Sequence, residues 1–86
     1  MFVTHHAASR AAQRLGVRTS DHLIVATRAI WNAALELMIE RGSVEAWLAV
    51  PPQGWRVPIK ADATVVLKRH HKRTALVAAT VMGGER

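Results

Sequence analysis

The chain changes character at Arg41-Gly42-Ser43. Before that point apolar residues recur at three- and four-residue spacing. After it they gather in short runs of strand formers, broken by proline, glycine and charge. A helical half followed by a strand-rich half predicts an α+β domain: two N-terminal helices packed on a small antiparallel sheet of three to four strands. The expected division is 1–42 helical, 43–82 antiparallel strands and 83–86 a loose tail. All of it is expected in one domain, because 86 residues build one core and no more. A chain this short buries only roughly 60–65% of the surface its unfolded form exposes, so that core must be modest.

Met1-Phe2-Val3-Thr4 reads as a short edge strand. From His5 to Leu15 the pattern is helical, with Ala7, Ala8, Ala11, Ala12 and Leu15 on one strip and Gly16 as the stop. Thr19-Ser20-Asp21 opens a second helix: a hydroxyl caps a free amide and Asp21 complements the dipole. Its expected core face is Leu23, Ile24, Thr27, Ile30, Trp31, Ala34, Leu35, Leu37 and Met38, with Arg28, Asn32, Glu36 and Glu40 opposite and a stop at Gly42. Val44 to Val50 then reads as a strand and Pro51-Pro52-Gln53-Gly54 as a turn. Trp55 to Ile59 reads as a strand that Pro58 confines to an edge or a bulge. Thr64–Leu67 and Thr74–Val81 form a hairpin pair joined by Lys68-Arg69-His70-His71-Lys72-Arg73.

Twelve Lys and Arg face six Asp and Glu, a formal charge of +6 with a pI near 11.5. That balance favours polyanions: RNA or DNA first, an anionic membrane or an acidic protein after. No cysteine is present, which removes disulfides, thiolate metal ligands and a cysteine nucleophile. The first residues lack the apolar core of a secretory signal, and no apolar run approaches the roughly 20 residues that span a bilayer. A cytoplasmic protein with no membrane partner is the expectation.

Two stretches concentrate the cations. Lys68, Arg69, His70, His71, Lys72 and Arg73 sit together at the expected hairpin tip, where each phosphate contact would release counterions. Either His70 or His71 could act there as a general acid or base. The alternative is a solvated turn whose charges keep strand edges apart. His6, Arg10 and Arg14 recur every four residues along the first helix, with Arg18 just beyond, and could line a phosphate track. They could equally pair with Glu36, Glu40 or Glu45 and pack their stems on the core. The adjacent pairs His5-His6 and His70-His71 lack chelating spacing, so no metal is expected. No phosphate-cradling glycine loop occurs, and no cofactor is expected. Trp31 reads as core, whereas Trp47 and Trp55 could stack on an unpaired base or fill an interface.

The segment His6-Ala7-Ala8-Ser9-Arg10-Ala11-Ala12-Gln13-Arg14-Leu15-Gly16-Val17 resembles the "His-Ala-x-x-Arg-x-x-x-Arg-Gly-Ile" opening of the RelE/BrnT-like small bacterial toxins and their relatives. The element order is compatible with that group along nearly the whole chain. The resemblance implies a metal-independent endoribonuclease whose basic side chains stabilise a phosphorane-like transition state, and an antitoxin as partner. It carries over His6, Arg10 and Arg14. Leu15 adds one residue before the glycine and the chain has no tyrosine, so His6 or His70 would have to serve as the base. The alternatives from other classes are a small basic inhibitor or adaptor, of phage or mobile-element origin, docking on an acidic protein surface, and a homodimer formed through Trp47, Trp55 and the valine-rich edge.

Overall fold

A computed structural model describes residues 1–83. Its elements are β1 (Phe2–Val3), α1 (His5–Leu15), α2 (His22–Arg41), α3 (Val44–Leu48), β2 (Trp55–Lys60), β3 (Ala63–Arg69) and β4 (Leu76–Gly83). The class is α+β, with the helices N-terminal and the sheet C-terminal. Four strands lie in the order β1-β4-β3-β2. β2, β3 and β4 form an antiparallel meander, but β1 runs parallel to β4, so the sheet is mixed.

Thr4 makes the joint between β1 and α1. Its hydroxyl accepts from the Ala7 amide at 3.0 Å as a helix cap and lies 3.1 Å from the Ala78 carbonyl, to which it donates. The helix therefore starts against β4 and buries Ala7, Ala8, Ala11 and Ala12. Gly16 ends it in the left-handed conformation. At the start of α2 the Thr19 hydroxyl donates to the Asp21 carboxylate, and Asp21 occupies the cap position without a side-chain bond to a helix amide. The hydroxyl cap expected there is not made.

Three expectations need correction. The Val44–Val50 strand is the short helix α3: the Ser43 hydroxyl accepts from the Ala46 amide at 3.1 Å and Glu45 occupies the first turn. That local capping outweighs the strand preference of Val44 and Trp47, and the helix stops before Val50, whose backbone Pro51 keeps out of the α region. The core face of α2 also differs. Ala26, Ile30, Ala33, Ala34 and Leu37 are buried, whereas Ile24, Trp31 and Leu35 face solvent. The small side chains let α2 lie close to the sheet and α1, and the bulky ones are left outside. Finally, the expected loose tail begins too early, since Gly83 ends β4 and pairs with Ala63; the rest of that tail lies outside the described residues. α2 also has the length and composition, with mean hydropathy 1.2, that suffice to cross a membrane, so one stretch of the chain does reach the span that the sequence was expected to lack.

The remaining strand assignments hold, with shifted ends. Pro58 lies on edge strand β2, with a register shift between it and Lys60. Gly54 closes the predicted turn, its amide donating to the Pro51 carbonyl at 2.8 Å. With φ at +83° and an added Cβ falling 2.9 Å from the Leu67 carbonyl oxygen, this position needs glycine. All helices that pack on the sheet cover one face, where Val65, Leu67, Leu76, Ala78 and Val81 join the alanine faces of α1 and α2.

Candidate nucleic-acid interface

Strand alternation and register define what the opposite, helix-free face presents. β2 buries Trp55, Val57 and Ile59 partly and turns Arg56, Pro58 and Lys60 outward. Arg56 pairs with Val66, and Val66 with Thr80, so these three side chains form one row across the sheet, in which Val66 is covered by its neighbours and buried. The His6 Nε2 lies 3.1 Å from the Thr80 hydroxyl and extends that row past the β4 edge. Toward the tip, Phe2 pairs with Val77 and Val77 with Lys68, which makes a second row. Lys68 and Arg56 are diagonal neighbours, about 7–8 Å apart.

The loop between β3 and β4 caps these rows. Its fold depends on His70: the ring Nδ1 accepts from the backbone amides of Lys72 at 3.0 Å and Arg73 at 3.1 Å. An acceptor nitrogen must hold its lone pair, so the ring proton sits on Nε2. The His70 amide also donates to the Ala75 carbonyl at 2.8 Å. With the loop so held, three rings form a column. The centroids of Phe2 and His70 lie 4.9 Å apart at 42°, and those of His70 and His71 lie 4.9 Å apart at 9°, a near-parallel stack. The Arg73 guanidinium lies 6.0 Å over the Phe2 ring. Phe2 is 44% exposed, and Lys68, Arg69, His71, Lys72 and Arg73 are all exposed around it.

The other cationic stretch lies elsewhere. α1 starts beside Ala78 and ends where the Arg14 guanidinium crosses Gly83, at the far end of β4. Between the Arg69–Leu76 and Ala63–Gly83 pairs lie six residue steps of β3, about 20 Å. Arg10 and Arg14 line a polar cleft of about 310 Å³ with Gln13 and Asp62, and Arg10 donates to the Gln13 amide oxygen at 3.3 Å. Arg18 is exposed beyond the C-terminal end of α1. Of the residues singled out in the sequence, His6, Lys68, His70, His71, Lys72 and Arg73 thus share one side with the open sheet face, while Arg69, paired with the core residue Leu76, ends β3 on the helix-bearing face. Arg10, Arg14 and Arg18 do not.

The reading from sequence missed Phe2 and Arg56. Phe2 reaches the tip only through the parallel pairing of β1 with β4, which a two-residue strand does not announce. Arg56 was signalled by its alternation with Trp55 and Val57. Trp47 and Trp55 are part-buried and engaged with their own neighbours: Trp55 donates its indole N–H to the Trp47 carbonyl at 2.8 Å, and the Arg41 guanidinium sits 4.0 Å over its ring. Among the described residues no group of three or more His, Asp or Glu is placed to hold a metal. Compared with family models, with curated proteins and with solved structures, the chain finds no match.

Proposed function

We propose that the protein binds single-stranded nucleic acid, RNA in the first instance, across its open sheet face and the β3–β4 tip. The observation that carries this reading is the column Phe2–His70–His71, with the Arg73 guanidinium over Phe2 and Lys68, Arg69 and Lys72 exposed at the same hairpin tip. Unpaired bases stack on such ring faces whatever their sequence, and the neighbouring Lys and Arg meet the phosphates between them. An acidic protein surface would satisfy the cations but leave the ring column unused. A duplex would leave it unused as well, because its bases are already stacked.

The test is binding of a labelled single-stranded RNA and of a duplex of equal length at several salt concentrations. Four phosphate contacts on a single strand give a log–log slope of about −2.8, or roughly a 50-fold loss of affinity between 50 and 200 mM salt. Failure to hold either polymer at low salt sinks the proposal. Equal affinity for duplex and single strand removes the role given to the rings.

The finer proposal, supported by the likeness of the N-terminal segment to RelE/BrnT-like toxins, is metal-independent RNA cleavage. The cations would stabilise the phosphorane-like transition state, and His6, at the rim of the open face, is the better placed base, since His70 uses Nδ1 to hold its loop. RNA degradation in excess EDTA that disappears in His6→Ala supports it. Tight RNA binding without degradation leaves a non-cleaving binder.

A further inference from the structure

α2 is apolar on two sides. One side packs on the sheet through alanines, Ile30 and Leu37. The other exposes Ile24 (61%), Trp31 (37%), Leu35 (47%) and Ile39 (79%), which fall within one narrow stripe at helical spacing. Bulky residues outside and small ones inside is the reverse of an ordinary surface helix. A stripe running most of a helix about 30 Å long is more than scattered exposed hydrophobics explain.

The structure assigns this stripe to a second copy of the same chain, packed antiparallel about a two-fold axis near Trp31 and Asn32. Shape argues for it. The N-terminal half of the stripe is a shallow groove of about 360 Å³ lined by Leu23, Ile24, Thr27, Arg28, Trp31 and Asn32. The C-terminal half is a ridge, Leu35 and Ile39, with the most exposed residue of the set. Only an antiparallel two-fold sets each ridge into the other copy's groove, twice over, as an isologous interface requires.

Charge argues the same way. The cation, Arg28, lies within the stripe in its N-terminal half and lines the groove, and the carboxylates, Glu36 and Glu40, lie to one side of the stripe in the C-terminal half. Arg28 and Glu36 are eight residues apart, about 12 Å along the helix, too far to pair within it. Reversed about an axis near Trp31 and Asn32, position 28 lies opposite position 35, which brings Arg28 beside Glu36 of the other copy. Residues 21–45 hold two of the cations and four of the carboxylates, a net of −2, while the rest of the chain carries ten cations and two carboxylates. The α2 side is therefore free of the repulsion that would keep two such basic molecules apart, and it offers nothing to an anionic membrane. Two copies joined there keep both open sheet faces outward. A strip of this length, covered in both copies with its polar flanks, approaches the roughly 1,200 Å² at the low end of specific interfaces.

Sedimentation of the full chain from about 5 to 200 µM should show a monomer giving way to a dimer. Leu35→Glu and Ile39→Glu should stay monomeric throughout with unchanged circular dichroism, since both side chains face solvent. Because the chain lacks cysteine, oxidative cross-linking reads the geometry directly. Asn32→Cys, next to the axis, should link to itself. Ile39→Cys should not, because the two copies of that residue lie about 22 Å apart along the helices and a disulfide needs Cα atoms within about 7 Å. A mixture of Ile24→Cys and Ile39→Cys should link heterotypically. A wild type that stays monomeric, an Ile39→Cys that links to itself as readily as Asn32→Cys, or a monomer that instead partitions onto phosphatidylglycerol vesicles through the stripe would each overturn the assignment.

Discussion

The two ends of the β3–β4 ladder carry the same side chains in different company. At the tip, Lys68, Arg69, Lys72 and Arg73 share the hairpin end with a column of rings, Arg73 over Phe2, and no carboxylate lies in that stretch from Lys68 to Arg73. At the far end, Arg10 and Arg14 share a cleft with Asp62, and no ring lines that cleft among the described residues. Cations beside rings suit phosphates joined by unpaired bases. Cations beside a carboxylate have part of their field cancelled before any ligand arrives. Net charge makes both ends equal candidates; local company separates them.

The largest expected difference comes from neutralising each end in turn. Arg69→Ala, Lys72→Ala and Arg73→Ala together should lower single-stranded RNA affinity at 50 mM salt by at least about 100-fold and flatten the log–log salt slope from about −2.8 toward −0.7. Arg10→Ala with Arg14→Ala should cost no more than about threefold and leave the slope nearly unchanged. Filter binding of the two variants decides it. A reversed order would move the interface to the α1 end and discard the ring column.

Next in size is Phe2→Ala. Stacking of one base contributes about 1–3 kcal/mol, so the variant should bind RNA about tenfold more weakly with the same salt slope, because no charge is removed. A Phe2→Ala protein with wild-type affinity would show that the cations at the tip act without the rings.

His70 tests the tip from the folding side. Alanine there releases the Lys72 and Arg73 amides to water, a loss of about 1 kcal/mol that should appear as a Tm lower by about 4–8 °C. His70→Asn offers an oxygen to the same amides and should recover most of that loss while still binding RNA weakly, since the stacked ring is gone. If His70→Asn restores RNA affinity as well, the ring shapes the loop and touches nothing.

The sequence announced the order of elements because caps and breakers are local signals. Thr4, Gly16, Gly42, the Pro51–Gly54 turn and Pro58 each act within a few residues and could be placed without coordinates. It failed where a local cap met an opposing propensity, as at Ser43, and where an element is apolar all round. α2 offers no periodicity to say which side is core, so Trp31 and Leu35 were assigned inward although the alanines occupy that side. The candidate site was legible only in part. The run Lys68–Arg73 is contiguous and visible, but its junction with Phe2, Arg56 and His6 depends on pairings that span more than 70 residues for β1 and α1 against β4.

The smallest effect is the most specific probe of the contrast between the two ends. Asp62 lines the cleft with Arg10 and Arg14 at the turn between β2 and β3. If that carboxylate is what withholds the far end from polyanions, Asp62→Asn should raise RNA affinity slightly, by about twofold, in keeping with the modest strength of exposed charge interactions. The rise should vanish by about 0.5 M salt, where the screening length shortens toward the reach of a direct contact. It should also vanish at any salt once Arg10 and Arg14 are alanine, because the carboxylate then has nothing to mask. A rise of tenfold or more would mean that Arg10 and Arg14 belong to the interface and need only to be uncovered, and the distinction between the two ends would be one of masking alone.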